Sequence, residues 1–292
     1  MKKNIVTIFT PTYNRAYILG NLYESLIRQT SQEFEWLIVD DGSTDETADL
    51  VATWQKENKI SIRYLKQRNG GKQRAHNKGV EECKTELFVC VDSDDYIAEC
   101  SIEFILKTWK NIKKDDKLAG IIALRGVDEK TPIGTAMPEV QKSSLSDLYR
   151  KYHFKGDTTL VYRTEILKKY PYWVAEGEKF IGEGYVYQQI DQKYEMYLLP
   201  EIIIICNYLE DGYTKNVRRL TKQNPKGYTE LKRMTVCNSK TWKERFYHTI
   251  LYMVGCKLSK EKHPLKRAPY KILAILAFIP AELAWIKFYK NA

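Results

Sequence analysis

Ten residues, Leu87–Tyr96, read LFVCVDSDDY: five apolar side chains run without a break into three carboxylates, Asp92, Asp94 and Asp95. An apolar run this short suits a strand covered on both faces of a parallel sheet. In such sheets ligands sit beyond the carboxyl ends of the strands. Acids crowded at a strand tip repel one another. A hard divalent cation, Mg2+ or Mn2+, shared with substrate phosphates would offset that repulsion. A solvated acidic turn capping the next helix is the plainer alternative.

The preceding residues repeat this design. Ile5–Thr10 reads as a buried strand, followed by PTYNR and a helix over Ile18–Gln29 with Leu22, Leu26 and Ile27 on its apolar face. Phe34–Val39 is a second strand ending in DDGSTD, where Ser43 or Thr44 is a natural cap for the next helix. Ile60–Leu65 is a third, leading through Asn69–Lys72 (NGGK) into a helix over Gln73–Glu82. Four rounds of strand and helix imply a parallel sheet with right-handed crossovers. A helix near Ile102–Lys110, strands at Leu118–Leu124, Asp157–Arg163 and Ile202–Tyr208, and a loop over Arg125–Ser144 complete the sheet region. A short helix over Thr164–Lys169 and another near Tyr185–Lys193 accompany them. The expected class is α/β, a Rossmann-like, mostly parallel sheet flanked by helices over residues 1–212, with a helical C-terminal region over 213–292.

Parallel strands bring their polar tips to one rim, a cleft the size of a nucleotide. No GxGxxG or GxxxxGK[ST] is present, so phosphate must be held by a metal and basic side chains. Six cysteines without CxxC spacing, and no recognisable signal peptide, suggest reduced thiols and a cytoplasmic protein. Four scattered histidines argue against zinc.

The net charge of +10 is unevenly divided. Residues 213–292 hold 18 Lys/Arg against 4 Asp/Glu, or +14, leaving −4 for the rest. In that tail Ile272–Ile286 is almost wholly apolar. As a helix its 15 residues extend about 22 Å at ~1.5 Å per residue, short of a ~30 Å bilayer core. Flanked by Lys266, Arg267, Lys271, Lys287 and Lys290, it reads as a segment that lies on an anionic membrane surface, within residues 240–290. A core helix packed on the sheet is the alternative.

With PTYNR, VDDGSTD, NGGK and VDSDD in this order over the first hundred residues, the chain resembles a family 2 glycosyltransferase of the GT-A type. The resemblance implies inverting transfer from a nucleoside-diphosphate sugar, commonly a UDP-sugar, to a glycan or lipid-linked acceptor in surface-polysaccharide synthesis. The basic, partly apolar tail puts the expected location on the inner face of the cell membrane. By position, Asp41 would accept a hydrogen bond from the nucleobase, with Asp40 the nearby alternative, and Thr10, Pro11, Thr12 and Tyr13 would line its pocket. Asp92 and Ser93 would meet the ribose or sugar, Arg15 and Lys72 the phosphates, and Asp94 a metal for which Asp95 competes.

The acceptor hydroxyl needs a carboxylate base. The resemblance implies a Glu-Asp pair where this chain has Glu183-Gly184, which leaves Glu183 as base, with Asp191 and Asp157 as rivals. A sugar nucleotidyltransferase would want a Gly-rich basic loop where PTYNR stands. A nucleic-acid-binding protein could use the basic tail, but no matching signature accompanies it, and nucleic acid is not expected as a partner.

Overall fold

The computed structural model describes residues 4–206 and 217–290, so the end of the expected strand at Asn207–Tyr208 and the boundary at 212 lie outside the described residues. The chain forms two compact units, Met1–Pro171 with Gln189–Leu209, and Tyr172–Gln188 with Glu210–Ala292. The second unit thus takes in Tyr172–Gln188, a stretch the sequence reading leaves with the sheet.

The first unit is built on β1 (Val6–Thr12), β2 (Phe34–Asp40), β3 (Ile62–Lys66), β4 (Leu87–Cys90), β5 (Tyr96–Ile97), β6 (Leu118–Gly126), β7 (Lys142–Ser143), β8 (Thr158–Arg163) and β9 (Glu195–Ile205). They form one sheet in the order β3-β2-β1-β4-β8-β6-β9-β5, with β7 on β9. β1 to β4 are mutually parallel and β6 is parallel to β9, whereas β8 runs antiparallel between β4 and β6. The sheet is therefore mixed, although six of its nine strands share a direction. β9 begins seven residues before the expected Ile202: Pro200, which has no N–H to give, sits where the register against β6 slips from Leu199 to Ile202.

Helices α1 (Ala16–Ile27), α2 (Thr47–Glu57), α3 (Lys72–Glu82) and α4 (Ser101–Ile112) pack against this sheet, and the short α5 (Leu145–Arg150) and α6 (Thr164–Leu167) follow in the same unit. α1 buries Leu19, Leu22, Tyr23 and Leu26 at helical spacing. Tyr23 stacks with Trp54 of α2 at 4.4 Å, and Trp54 with Trp36 of β2 at 5.7 Å. Ser43 and Thr44 do not cap α2. That helix starts at Thr47, and Asp45 accepts from the Thr47 backbone N–H at 3.2 Å and its hydroxyl at 2.6 Å.

α3 is polar along most of its length and reaches the sheet through its small residues. Gly79 lies so close to β1 that a Cβ there would fall 2.3 Å from Phe9 Cε2. His76 stands edge-on to Phe9 and Phe88 on the same face.

In the second unit α7 (Gly184–Ile190) begins the helical series, and its last two residues belong to the first unit. It is followed by α8 (Val217–Gln223), α9 (Pro225–Asn238), α10 (Trp242–Leu258), α11 (Pro264–Arg267), α12 (Lys271–Leu276) and α13 (Phe278–Trp285). Glu178 is buried and caps α9, its carboxylate accepting from the N–H groups of Lys226 and Gly227 at 2.8 Å each. Thr241 and Glu244 form a reciprocal capping box on α10.

Gly79→Ala should lower stability by about 1–3 kcal/mol through overpacking against Phe9. The check is a fall in the urea midpoint with an unchanged slope; no fall would show that α3 can move away at no cost.

Candidate active site at the carboxyl rim of the sheet

The polar tips of β1 to β4 meet at one rim and are bonded to each other. The Asp41 N–H donates to Thr12 O at 2.8 Å. Asn14, in the left-handed region at φ 53°, donates its N–H to Ser43 Oγ and accepts from the Thr44 N–H through Oδ1. These bonds join the first tip to the second. The third is fastened by Asp41, whose Oδ1 accepts from Gln67 Nε2 at 2.7 Å and the Gly70 N–H at 2.8 Å, while Oδ2 accepts from the Gly71 N–H at 2.7 Å. Gly42 (φ 87°) permits this approach, since a Cβ there would lie 3.0 Å from the Asn69 backbone nitrogen. The fourth tip is held by Lys72, whose Nζ lies 2.8 and 2.9 Å from the two carboxylate oxygens of Asp92.

Two acids of the VDSDD turn are pushed in opposite directions. Burial raises the Asp92 carboxyl, but Lys72 and then Arg125 outweigh it and hold the group below the usual carboxylate range. Burial and the neighbouring Asp92 charge push Asp94 up, against the pull of Arg15 and Lys72. Asp95 has a different environment: it is 5% exposed and its Oδ2 accepts from Arg125 at 3.2 Å. The same guanidinium donates to Cys206 Sγ at 3.5 Å. Burial raises the Cys206 thiol to about 12, so it meets Arg125 as a neutral group. Asp95 is thus half of a buried ion pair, and Asp94 is the acid of the turn better placed to ligate.

Among the described residues no group of three or more His, Cys, Asp or Glu is arranged to hold a metal ion. The donor set fits a cation of another kind, bound by one carboxylate and completed by substrate phosphates. Asp94, crowded by Asp92, would be the oxygen donor for such a cation.

The remaining expected residues divide. Pro11, Thr12, Asp40, Asp41 and Ser93 are buried at the rim, and Tyr13 is half-exposed there. Thr10 is not at the rim: it is fully buried and its hydroxyl accepts from Trp36 Nε1 at 3.0 Å, inside the aromatic core. Asp40 accepts from the Ser43 N–H at 2.7 Å and from the Tyr64 hydroxyl, which ties it to its own loop. Arg15 donates to the Tyr17 hydroxyl. Asp191 caps α5 (Leu145–Arg150), accepting from the N–H groups of Leu145 and Ser146 at 3.0 and 2.7 Å. Glu183 is exposed in the second unit, with the Tyr187 hydroxyl 3.5 Å from its Oε2. Asp157 precedes β8, whose antiparallel pairing puts its start beside the end of β4. Arg125 was not singled out in the sequence; its one signal is a cation closing the apolar run IIAL.

Residues 7–171 match the family described as Glycosyl transferase family 2. Over 100 residues the chain is 35% identical to glycosyltransferase GlyG of Streptococcus pneumoniae serotype 4, covering 34% of this chain and 33% of that one. Over 164 residues it is 27% identical to poly(ribitol-phosphate) beta-N-acetylglucosaminyltransferase TarS of Staphylococcus aureus, covering 56% and 28%. The matched residues therefore span a third or less of either relative. The crystal structure of S. aureus TarS 1-349 with UDP-GlcNAc superposes at TM-score 0.61 with 15% identity, covering 97% of this chain and 92% of that one. Mannosyltransferase PcManGT of Pyrobaculum calidifontis, with GDP-Man and Mn2+, superposes at 0.56 with 16% identity over 98% and 76%. At these identities the shared property is the fold, an α/β sheet with flanking helices.

Arg125→Met strands the Asp95 charge and should cost about 3–5 kcal/mol. Adding Asp95→Asn should return part of that loss, so the double variant unfolds at higher denaturant than the sum of the single effects requires. Strict additivity in the cycle would dissolve the pair.

Proposed function

Because the chain belongs to glycosyl transferase family 2, we propose that it moves a sugar from a UDP-sugar to a cell-surface polymer, with inversion at the anomeric carbon. The observation that carries this reading is the bonded rim, where Asp92 faces Lys72 and Asp94 stands beside it with a raised carboxyl. N-acetylglucosamine is the first donor sugar to test and a polyol-phosphate polymer the first acceptor, on the strength of the names that TarS and its UDP-GlcNAc complex carry. Six cysteines without a disulfide support a reducing, cytoplasmic setting.

In this reading Asp41 receives the nucleobase. Its Oδ2 accepts a single internal hydrogen bond and so keeps a lone pair for a ring N–H. Pro11, Thr12 and Tyr13 form the wall beside it. Lys72 and Arg15 meet the diphosphate charge, while Asp92 and Ser93 orient the ribose or sugar. A divalent cation held by Asp94 and the diphosphate would supply Lewis-acid neutralisation of the leaving group. The acceptor hydroxyl attacks the anomeric carbon from the face opposite the diphosphate, and the carbon–oxygen bond to UDP breaks with its electron pair going to phosphate. The hydroxyl proton passes to a carboxylate, for which Glu183 is the candidate. The capping bonds at Asp191 favour Glu183, because both oxygens of Asp191 already serve α5.

Asp94→Ala should reduce UDP release from a panel of UDP-sugars by about 100-fold or more, with the melting temperature little changed. Turnover equal to the parent chain would reject the reading. Chelation of divalent ions should reproduce the loss, and added Mn2+ or Mg2+ should restore it.

A further inference from the structure

Between Lys271 and Ile286 the usual arrangement of an amphipathic helix is inverted. Ile272, Ile275, Leu276, Ile279 and Leu283 recur at i, i+3, i+4, i+7 and i+11, the stripe that normally faces a core. Here that stripe faces outward: with Phe278, these side chains are 57–75% exposed. The residues turned inward are alanines. Ala274, Ala277 and Ala281 are 0–5% exposed and pack with Val236, Tyr252, Met253 and Val254 of α9 and α10. Small residues bring α12 and α13 close to α10 and leave the bulky aliphatics projecting.

We infer that α12 and α13 form a docking surface for an anionic lipid bilayer, seated in the headgroup and upper acyl region. Three observations favour lipid over other occupants. The exposed chemistry is aliphatic, as an acyl phase requires. Its surroundings are cationic: Lys271, Lys287 and Lys290 are exposed around the stripe, and the acid within it, Glu282, is engaged by Lys257. A second copy meeting this face about a two-fold axis would set these lysines against their own duplicates, whereas an anionic surface complements them. Finally, the element is built to lie flat. Pro280 offers no N–H to the Leu276 carbonyl, the helix breaks at Ala277, and the pieces of six and eight residues reach about 9 and 12 Å at ~1.5 Å per residue. No helix among the described residues is long and apolar enough to cross a membrane.

This surface is independent of the transfer reaction, and its test is too. The full chain is floated with vesicles of phosphatidylcholine alone and of phosphatidylcholine mixed with phosphatidylglycerol. The parent chain should partition onto the anionic vesicles at least about tenfold more strongly than onto the neutral ones. Ile279→Ser with Leu283→Ser should weaken that partition by about tenfold or more, with helical circular dichroism and the melting temperature retained as proof of folding. Lys271→Glu with Lys287→Glu should remove the preference for phosphatidylglycerol. Failure of the parent chain to bind anionic vesicles overturns the inference, as does equal binding by the serine variant. A parent chain that dimerises in solution, is monomeric as the serine variant and ignores vesicles would assign the face to a second copy.

Discussion

Three hydrogen bonds to one carboxylate organise the rim. Asp41 follows the second strand, yet its side chain is held by Gln67, Gly70 and Gly71 beyond the third, and its own N–H reaches back to the first. A buried carboxylate with so many donors is held in one orientation, and the three loops it touches become one rigid wall. Lys72 extends that wall to the fourth strand because it opens α3, whose seat on the sheet depends on the contact between Gly79 and Phe9. Packing on the face of the sheet and charge at its edge are therefore parts of one arrangement.

Much of this was legible in the residues. Mainly apolar runs ending in polar residues located β1 to β4 within one or two residues, because the change from apolar to polar marks where each strand leaves the sheet. Their parallel order followed from the helices between them, and the matched family covers residues 7–171. What stayed hidden depends on partners distant in sequence. Asp95 looks like its neighbours in the string DSDD, and only the end of β6, thirty residues on, supplies the Arg125 that sets it apart. Thr10 alternates correctly for a strand, but which face meets Trp36 is decided by β2 and α2. Asp191 stands as a rival to Glu183 in the residues alone, and only the fold shows that α5 occupies it.

The stretch EGEKFIGEG illustrates the same limit at larger scale. It places Glu176, Glu178 and Glu183 among glycines, and its composition says nothing of the helices that follow. In the folded chain Glu178 closes the start of α9, and Asn224 Oδ1 accepts from the N–H groups of Lys179 and Phe180. A carboxylate satisfies the unpaired donors of a helix start well, so Glu178 serves construction. In α12 and α13 the apolar character was plain, but composition alone does not say which side of a helix is covered.

The ion pair of Arg125 with Asp95 has a historical consequence. Either side chain without the other leaves a charge inside the protein, so neither site can drift by itself through single neutral changes. Among descendants of this chain the two positions should be kept together or exchanged together, and a lineage that had replaced both with an uncharged pair would record an intermediate that selection tolerated only briefly.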